Sequence, residues 1–507
     1  MDVTTSFDRF PWLFACCLAF IVAFNCCTID QVPVWDAAMS IFPAGITLHA
    51  WNFNYQRLLR APGFWQGGPN VHALTLPTLC VALAYRLIAV PRTLLIVLHC
   101  ACYLLSAFTM MGLYRFVRPL FPARTALLLT MACTLHPLFL VQAGLLYLEI
   151  PLLCCTVYAL VFWCEHKFIA ASLVAGLACF IKPQGIIPVA CLAGCIACSH
   201  LPWREKVKKV LILALLPCLM ILGLIISSHQ GLAVGRPAFT SYVDYILHNV
   251  AFYLAHIPDV IFWLSLLIVA IVGLRKKLFL RPGEDNRYYQ AVLLMGIAFI
   301  GFYLSVPLVA RDIYIIPRYY LQILPFSCLG LALLMKRRLN QRAVQTILLV
   351  FVLFHLANNR GNLYPAFRGN EFSLAERSLA YRDLLKLQQE SLAGLTALPA
   401  KAVVFYGLPE HYWLTYPAMG WPHAGKITGH CIYSEFPYNS GNLAFFPDRF
   451  YLLYNFEWLG GEMIRHILRE VDRSPDYVYS IEKTYQRANH RIYILYAYPG
   501  NRRTETR

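Results

Sequence analysis

The chain has 507 residues, of which 59% are hydrophobic and 14% charged, with a mean hydropathy of +0.55. An ordinary soluble chain is about 25% charged, so this composition argues against one and for a polytopic α-helical membrane protein. The 43 Lys and Arg against 26 Asp and Glu leave a net charge of +17, but the positive residues fall largely in short loops between apolar runs, which fits membrane topology and anionic lipid headgroups rather than nucleic acid.

A crossing needs roughly twenty apolar residues, fewer where proline or a short loop intervenes. On that measure crossings are expected near 11–28, 93–115, 126–145, 148–164, 167–181, 184–199, 208–227, 257–274, 289–309, 319–335 and 343–357, about eleven in all. The first run, Pro11 to Thr28, is followed by no small-residue cleavage pattern and reads as a transmembrane helix rather than a signal peptide. Between the first two crossings lies a long outer loop, 29–91. Within it, His72 to Val90 carries Pro77, Tyr85 and Arg86 and ends at Pro91, so an interfacial or re-entrant helix is expected there. A full crossing by that segment would instead put Asp36 on the cytoplasmic side.

Basic residues order the later loops. Arg115/Arg118/Arg124, Arg204/Lys206/Lys208/Lys209, Arg275/Lys276/Lys277/Arg281/Arg287 and Lys336/Arg337/Arg338/Arg342 occupy alternate loops, as a cytoplasmic set does. The opposite loops hold Glu149, Lys182, the stretch Ser228 to His256, and Arg311 to Arg318. Seventeen of the eighteen cysteines precede residue 329, mostly inside apolar runs such as Cys154-Cys155 and Cys191, Cys195, Cys198, and read as small buried hydrophobes. Cys431 stands alone in the tail.

Residues 1–358 are thus expected to form the transmembrane part and 359–507 a small extracytoplasmic α/β or α+β domain. The tail opens with helix-like sequence from Glu371 to Leu395 and offers strand-like runs at Ala402–Tyr406, Tyr477–Ile481 and Ile492–Tyr498, with a helix-like stretch from Gly460 to Val471.

Only six acids precede residue 201: Asp2, Asp8, Asp30, Asp36, Glu149 and Glu165. Asp36 and Glu149 each sit just past an apolar run, and a charge placed near the membrane costs enough to mark a working site. Each also has an ordinary reading. Asp36 would cap the helix after it, and Glu149 would favour a helix N-terminus ahead of Pro151.

The order of short motifs resembles the GT-C superfamily of integral-membrane glycosyltransferases, in the branch of protein O-mannosyltransferases and the lipid A aminoarabinose transferase. The carrying residues are Val34-Trp35-Asp36-Ala37, Gly67-Gly68-Pro69-Asn70-Val71-His72, His136-Pro137, Leu148-Glu149-Ile150-Pro151-Leu152 and Pro317-Arg318-Tyr319-Tyr320-Leu321-Gln322-Ile323-Leu324-Pro325. Two departures stand out: the family's outer loop often has an acidic pair where Ala37 follows Asp36 here, and its second acid is usually Asp where this chain has Glu149. The resemblance implies an inverting transferase that moves a sugar from a polyprenyl-phosphate donor to a lipid, glycan or protein acceptor on the extracytoplasmic side, among membrane lipids.

Such transfer needs a base for the acceptor hydroxyl, cations for the leaving phosphate and an apolar groove for the lipid. Asp36 is the candidate base, and Asp36 and Glu149 are candidate ligands for a divalent cation, with Mg, Mn and Zn not distinguished. Glu149 is alternatively a group that holds the acceptor. For the donor phosphate the candidates are Arg318, Lys182, Arg311 and Arg86, since an arginine's planar fork suits bidentate phosphate contact; Arg318 would otherwise snorkel to lipid phosphates. His72, Tyr319 and Trp51 are candidates for sugar or acceptor contact, with membrane anchoring the competing role for the aromatic residues. No Gly-rich nucleotide loop is present, so no nucleotide cofactor is expected. The competing function is a lipid or solute transporter, against which the lack of matching halves counts; a non-catalytic assembly subunit is a third.

Overall fold

The computed structural model describes residues 10–34, 37–60, 75–227, 258–274, 284–305, 317–359, 379, 381–407, 410–416, 419, 427–431, 448–455, 469, 477–487 and 490–499. Apolar runs become helices: α1 (Phe10–Asn25), α5 (Pro91–Val117), α6 (Ala123–Thr134), α7 (Pro137–Gly144), α8 (Glu149–Cys164), α9 (Phe168–Ile181), α10 (Ile186–Ala197), α11 (Trp203–Ser227), α12 (Pro258–Leu274), α13 (Glu284–Ser305), α14 (Leu324–Arg338) and α15 (Gln341–Ala357). The outer-loop region contributes the short helices α2 (Phe42–Ala50), α3 (Tyr55–Arg60) and α4 (Leu76–Leu87). Two helical stretches, Pro91–Val117 and Arg287–Leu304, are long and apolar enough to cross a membrane, and α6 with α7 makes a third if the pair, bent by 65°, is one span.

That bend has a local cause. Pro137 has no N–H and disfavours helical backbone at His136, where the chain turns and His136 Nδ1 accepts a hydrogen bond from the Leu138 amide to cap α7. Hydroxyls inside the helices are satisfied locally: Ser106, Thr109, Thr130, Thr134 and Thr156 each donate to the carbonyl four residues earlier, as an apolar surrounding demands. On α11, Leu211, Leu215, Leu219 and Leu222 are exposed at helical spacing, a lipid-facing stripe rather than an aqueous one.

Helix α4 is 12 residues long, about 18 Å, well short of the roughly 30 Å of a hydrocarbon core. It lies tightly on α2, where a Cβ on Gly45 would sit 2.7 Å from Val81 Cγ1. The region expected to be interfacial therefore forms a short packed helix.

The basic turns gather at one end of the bundle. Arg115 pairs with Glu165 at 2.5 Å, Lys336 donates to the Leu120 carbonyl, Arg337 to that of Gly273, and Gln345 to Thr125 Oγ1. At the other end, the tail docks on the end of α1. Helix α16 (Tyr381–Leu395) sends Arg382 to the Phe24 carbonyl and to Asn25 Oδ1 at 2.6 and 2.8 Å. Trp413, fully buried on α17 (Glu410–Thr415), donates its indole N–H to the Pro33 carbonyl at 2.7 Å.

Behind α16 stands a five-stranded sheet in the order β2-β1-β3-β5-β4, built from β1 (Val403–Tyr406), β2 (Thr428–Cys431), β3 (Phe450–Asn455), β4 (Tyr477–Arg487) and β5 (His490–Pro499). Strand β1 runs parallel to β2 and β3, whereas β3, β5 and β4 are antiparallel. Leu384, Leu385, Leu392 and Leu395 bury the apolar face of α16, which packs on β4 and β5 and is further held by Arg487 pairing with Asp383 and Glu390.

Candidate functional site

Three separated points of the chain meet at the end of the bundle where the tail docks. Glu149 is the first residue of α8. Lys182 follows the last residue of α9 with extended backbone (φ −159°, ψ 150°), because Pro183 bars the helical conformation at the residue before it. The 3₁₀ turn Pro183–Gly185 then folds back on α9 so closely that a Cβ on Gly185 would collide with the Ala178 carbonyl group. Arg318 comes from a second 3₁₀ turn, Pro317–Gln322, which leads into α14 and packs on α8.

Lys182 Nζ donates to Glu149 Oε1 at 2.5 Å, and Arg318 Nε lies 3.3 Å from the same oxygen. All three side chains are at most 5% exposed. Aromatic faces replace water around the cations: Lys182 Nζ is 4.1 Å from the Tyr319 ring centre, and the Arg318 guanidinium carbon is 4.8 Å from that of Tyr147 and 5.5 Å from that of Tyr319. Tyr303 lies parallel to Tyr319 with ring centres 6.4 Å apart. On the Arg318 turn, Gln322 is buried with both amide atoms lacking a hydrogen-bond partner among the described residues.

Lys182 and Arg318 converge on one carboxylate oxygen, out of water. An ammonium beside a guanidinium offers several N–H donors to an anion with several acceptor oxygens. Glu149 Oε1 is already taken by an ammonium and approached by a guanidinium, and no group of three His, Cys, Asp or Glu able to hold a metal occurs among the described residues. Asp36, the other ligand expected for a metal, lies outside the described residues.

Of the other expected site residues, Tyr319 joins the cluster, while Arg86 and Trp51 stand apart. Arg86 is exposed at the end of α4 with its guanidinium 5.7 Å from the Phe53 ring, and Trp51 carries the Arg57 guanidinium at 4.4 Å. Neither forms a hydrogen bond, ion pair or ring contact with Glu149, Lys182 or Arg318 among the described residues. Asp36, His72 and Arg311 lie outside the described residues. Beside Asp36, the chain is fixed on both sides: the Pro33 carbonyl by Trp413, and the π-helical turn Ala37–Ile41 by packing against α17. Sequence reasoning missed Tyr147 and Trp413, whose only signal is an aromatic residue close to an acid, two positions before Glu149 and three after Glu410.

No family model matches the sequence, and no curated protein does. Solved structures do. ArnT from Cupriavidus metallidurans in the apo state is 14% identical over 98% of this chain and 98% of that one, with a TM-score of 0.43, and ArnT bound to undecaprenyl phosphate is 12% identical over 95% and 97%, at 0.41. Archaeal oligosaccharyltransferase AglB from Archaeoglobus fulgidus, in complex with an inhibitory peptide and a dolichol-phosphate, is 11% identical over 96% of this chain and 75% of that one, with a TM-score of 0.50. At such identities the likeness is one of fold alone, and it is the AglB structure, at a TM-score of 0.50, that carries it.

Proposed function

We propose that the chain is an inverting glycosyltransferase that takes a sugar from a polyprenyl-phosphate donor and passes it to a lipid, glycan or protein acceptor on the extracytoplasmic side. The observation that carries this reading is the buried meeting of Lys182 and Arg318 on Glu149, at the bundle end opposite the basic turns. That end is extracytoplasmic if the basic turns face the cytoplasm and the chain crosses about eleven times, with residues 1–358 in the membrane and 359–507 outside. The AglB structure with a dolichol-phosphate supports a lipid-linked phosphate as the kind of donor this fold accepts.

In this reading Arg318 and Lys182 bind the donor phosphate and stabilise the charge that grows on it as the glycosidic bond breaks. Glu149 holds both cations in place, and the tyrosine rings keep water out. Asp36, three residues after Pro33 in the sequence, takes the proton of the acceptor hydroxyl as the hydroxyl oxygen attacks the anomeric carbon from the face opposite the phosphate. The polyprenyl phosphate leaves, and the configuration inverts.

The test uses purified protein in proteoliposomes with a radiolabelled polyprenyl-phosphate sugar and a membrane extract as acceptor. Parent protein is expected to form labelled product, and Asp36→Asn and Arg318→Ala to form none while inserting and purifying normally. Full activity in Asp36→Asn removes the base; transport of the label without a new glycosidic bond removes the enzyme.

A further inference from the structure

The basic end of the bundle carries a second feature, remote from Glu149. Several cations there are committed to protein partners. Arg115 pairs with Glu165, and Arg118, Lys206, Lys336 and Arg337 donate to the carbonyls of Phe121, Ala197, Leu120 and Gly273. Arg124 and Arg342, like Arg204, Lys208 and Arg338, have no such partner among the described residues, but these two share one cleft. Each is the second residue of its helix, α6 and α15, each is exposed, and neither forms an ion pair among the described residues. Together with Asn340, Gln341 and Gln345 they line a cleft of about 580 Å³.

The walls of this cleft are fixed. Gln345 Nε2 donates to Thr125 Oγ1 at 3.0 Å, tying α15 to α6, and Asn340 Oδ1 caps α15 by accepting from the Ala343 amide at 2.9 Å. Two guanidiniums, each with five donors in a planar fork, thus face one space with no acid paired to them among the described residues.

What lies above the cleft identifies its occupant. From Arg342, the face of α15 continues through Gln345 to Leu349 and Leu353, which are 45% and 55% exposed, beside Val350 and Phe354. On α6, one turn beyond Arg124, Leu127 is 44% exposed. A rise of 1.5 Å per residue puts the start of the apolar strip about 10 Å from Arg342, the separation between a phospholipid's phosphate and its acyl chains. A free anion would use the arginines alone, whereas a phospholipid uses the arginines and the adjoining strip together.

We infer that the cleft between the starts of α6 and α15 is a binding site for an anionic glycerophospholipid, its phosphate held by Arg124 and Arg342 and its acyl chains laid along Leu127, Leu349 and Leu353. Basic pockets between membrane helices hold acidic headgroups by this combination of charge and depth. The lipid also bridges the two helices, since each supplies one arginine.

Native mass spectrometry of the purified full-length protein in detergent tests this with phosphatidylglycerol, phosphatidylcholine and inorganic phosphate as probes. The parent is expected to retain phosphatidylglycerol over phosphatidylcholine, and millimolar inorganic phosphate not to displace it. The Arg124→Gln/Arg342→Gln double variant is expected to bind phosphatidylglycerol about thirtyfold more weakly, with unchanged unfolding temperature in lipid-free detergent. Arg204→Gln, an exposed arginine at the start of α11 outside the cleft, is expected to bind as the parent does. Equal retention by the double variant, equal loss in Arg204→Gln, no preference over phosphatidylcholine, or displacement by inorganic phosphate each overturns the inference.

Discussion

Glu149 places two cations on one oxygen, and this sharing decides how its substitution behaves. Glu149→Gln removes a carboxylate that a buried ammonium and a buried guanidinium share, and breaking a buried pair from one side costs about 3–5 kcal/mol, which reads as a lower unfolding temperature. Adding Lys182→Met removes one of the stranded charges, so the double variant is expected to be more stable than the sum of the two single changes, and a double-mutant cycle of unfolding measures that coupling. Strict additivity would show that the groups do not interact. Glu149, Lys182 and Arg318 stand out in the sequence because charges at that side of an apolar chain are few. Tyr147 does not, since one of 30 tyrosines beside an apolar run looks the same whether it anchors in headgroups or walls a cation. Trp51 and Arg86 were candidates on residue type alone, and type does not say that each finds its partner within the α2–α4 region.

The elements around the site depend on close approaches as much as on apolar length. Gly185 has ordinary helical backbone, but its missing Cβ is what allows the turn after Lys182 to lie on the end of α9. Gly185→Ala pushes that turn off the Ala178 carbonyl and carries Lys182 away from Glu149. A drop in transfer with preserved membrane insertion is expected, measured in the same proteoliposome assay; parent-like activity would mean that the placement of Lys182 is not needed. Hydropathy finds where the helices are, because about twenty apolar residues leave no other solution in a bilayer. It does not show how they break. The run 126–145 reads as one continuous crossing but bends by 65° at Pro137, and the run from 319 starts as a 3₁₀ turn before α14. In the tail, the alternating or β-branched runs at β1, β4 and β5 are legible. Strand β3, Phe-Tyr-Leu-Leu-Tyr-Asn, is buried from Phe450 to Tyr454 except for half-buried Tyr451, so it lacks the period-two signal that marks a strand with one wet face.

At the scale of the molecule, the proposed function puts the basic end of the bundle in the cytoplasm and the end where the tail docks outside. Exposed Lys401 of the tail and exposed Arg204 of the basic end are the points to compare. In a background where native cysteines are blocked or replaced, a membrane-impermeant thiol reagent added outside is expected to label Lys401→Cys and not Arg204→Cys; the reverse pattern would invert the topology and move the Glu149 cluster to the cytoplasmic face. The central claim is narrower, that Lys182 and Arg318 grip the phosphate of a polyprenyl donor. The affinity of the purified protein for a polyprenyl monophosphate tests it most directly, in the parent, Arg318→Ala and Lys182→Met. Losing one charge-assisted contact is predicted to weaken binding by about tenfold to a hundredfold in either variant, with the fold intact by its unfolding transition. Parent-like affinity in both folded variants would contradict the account.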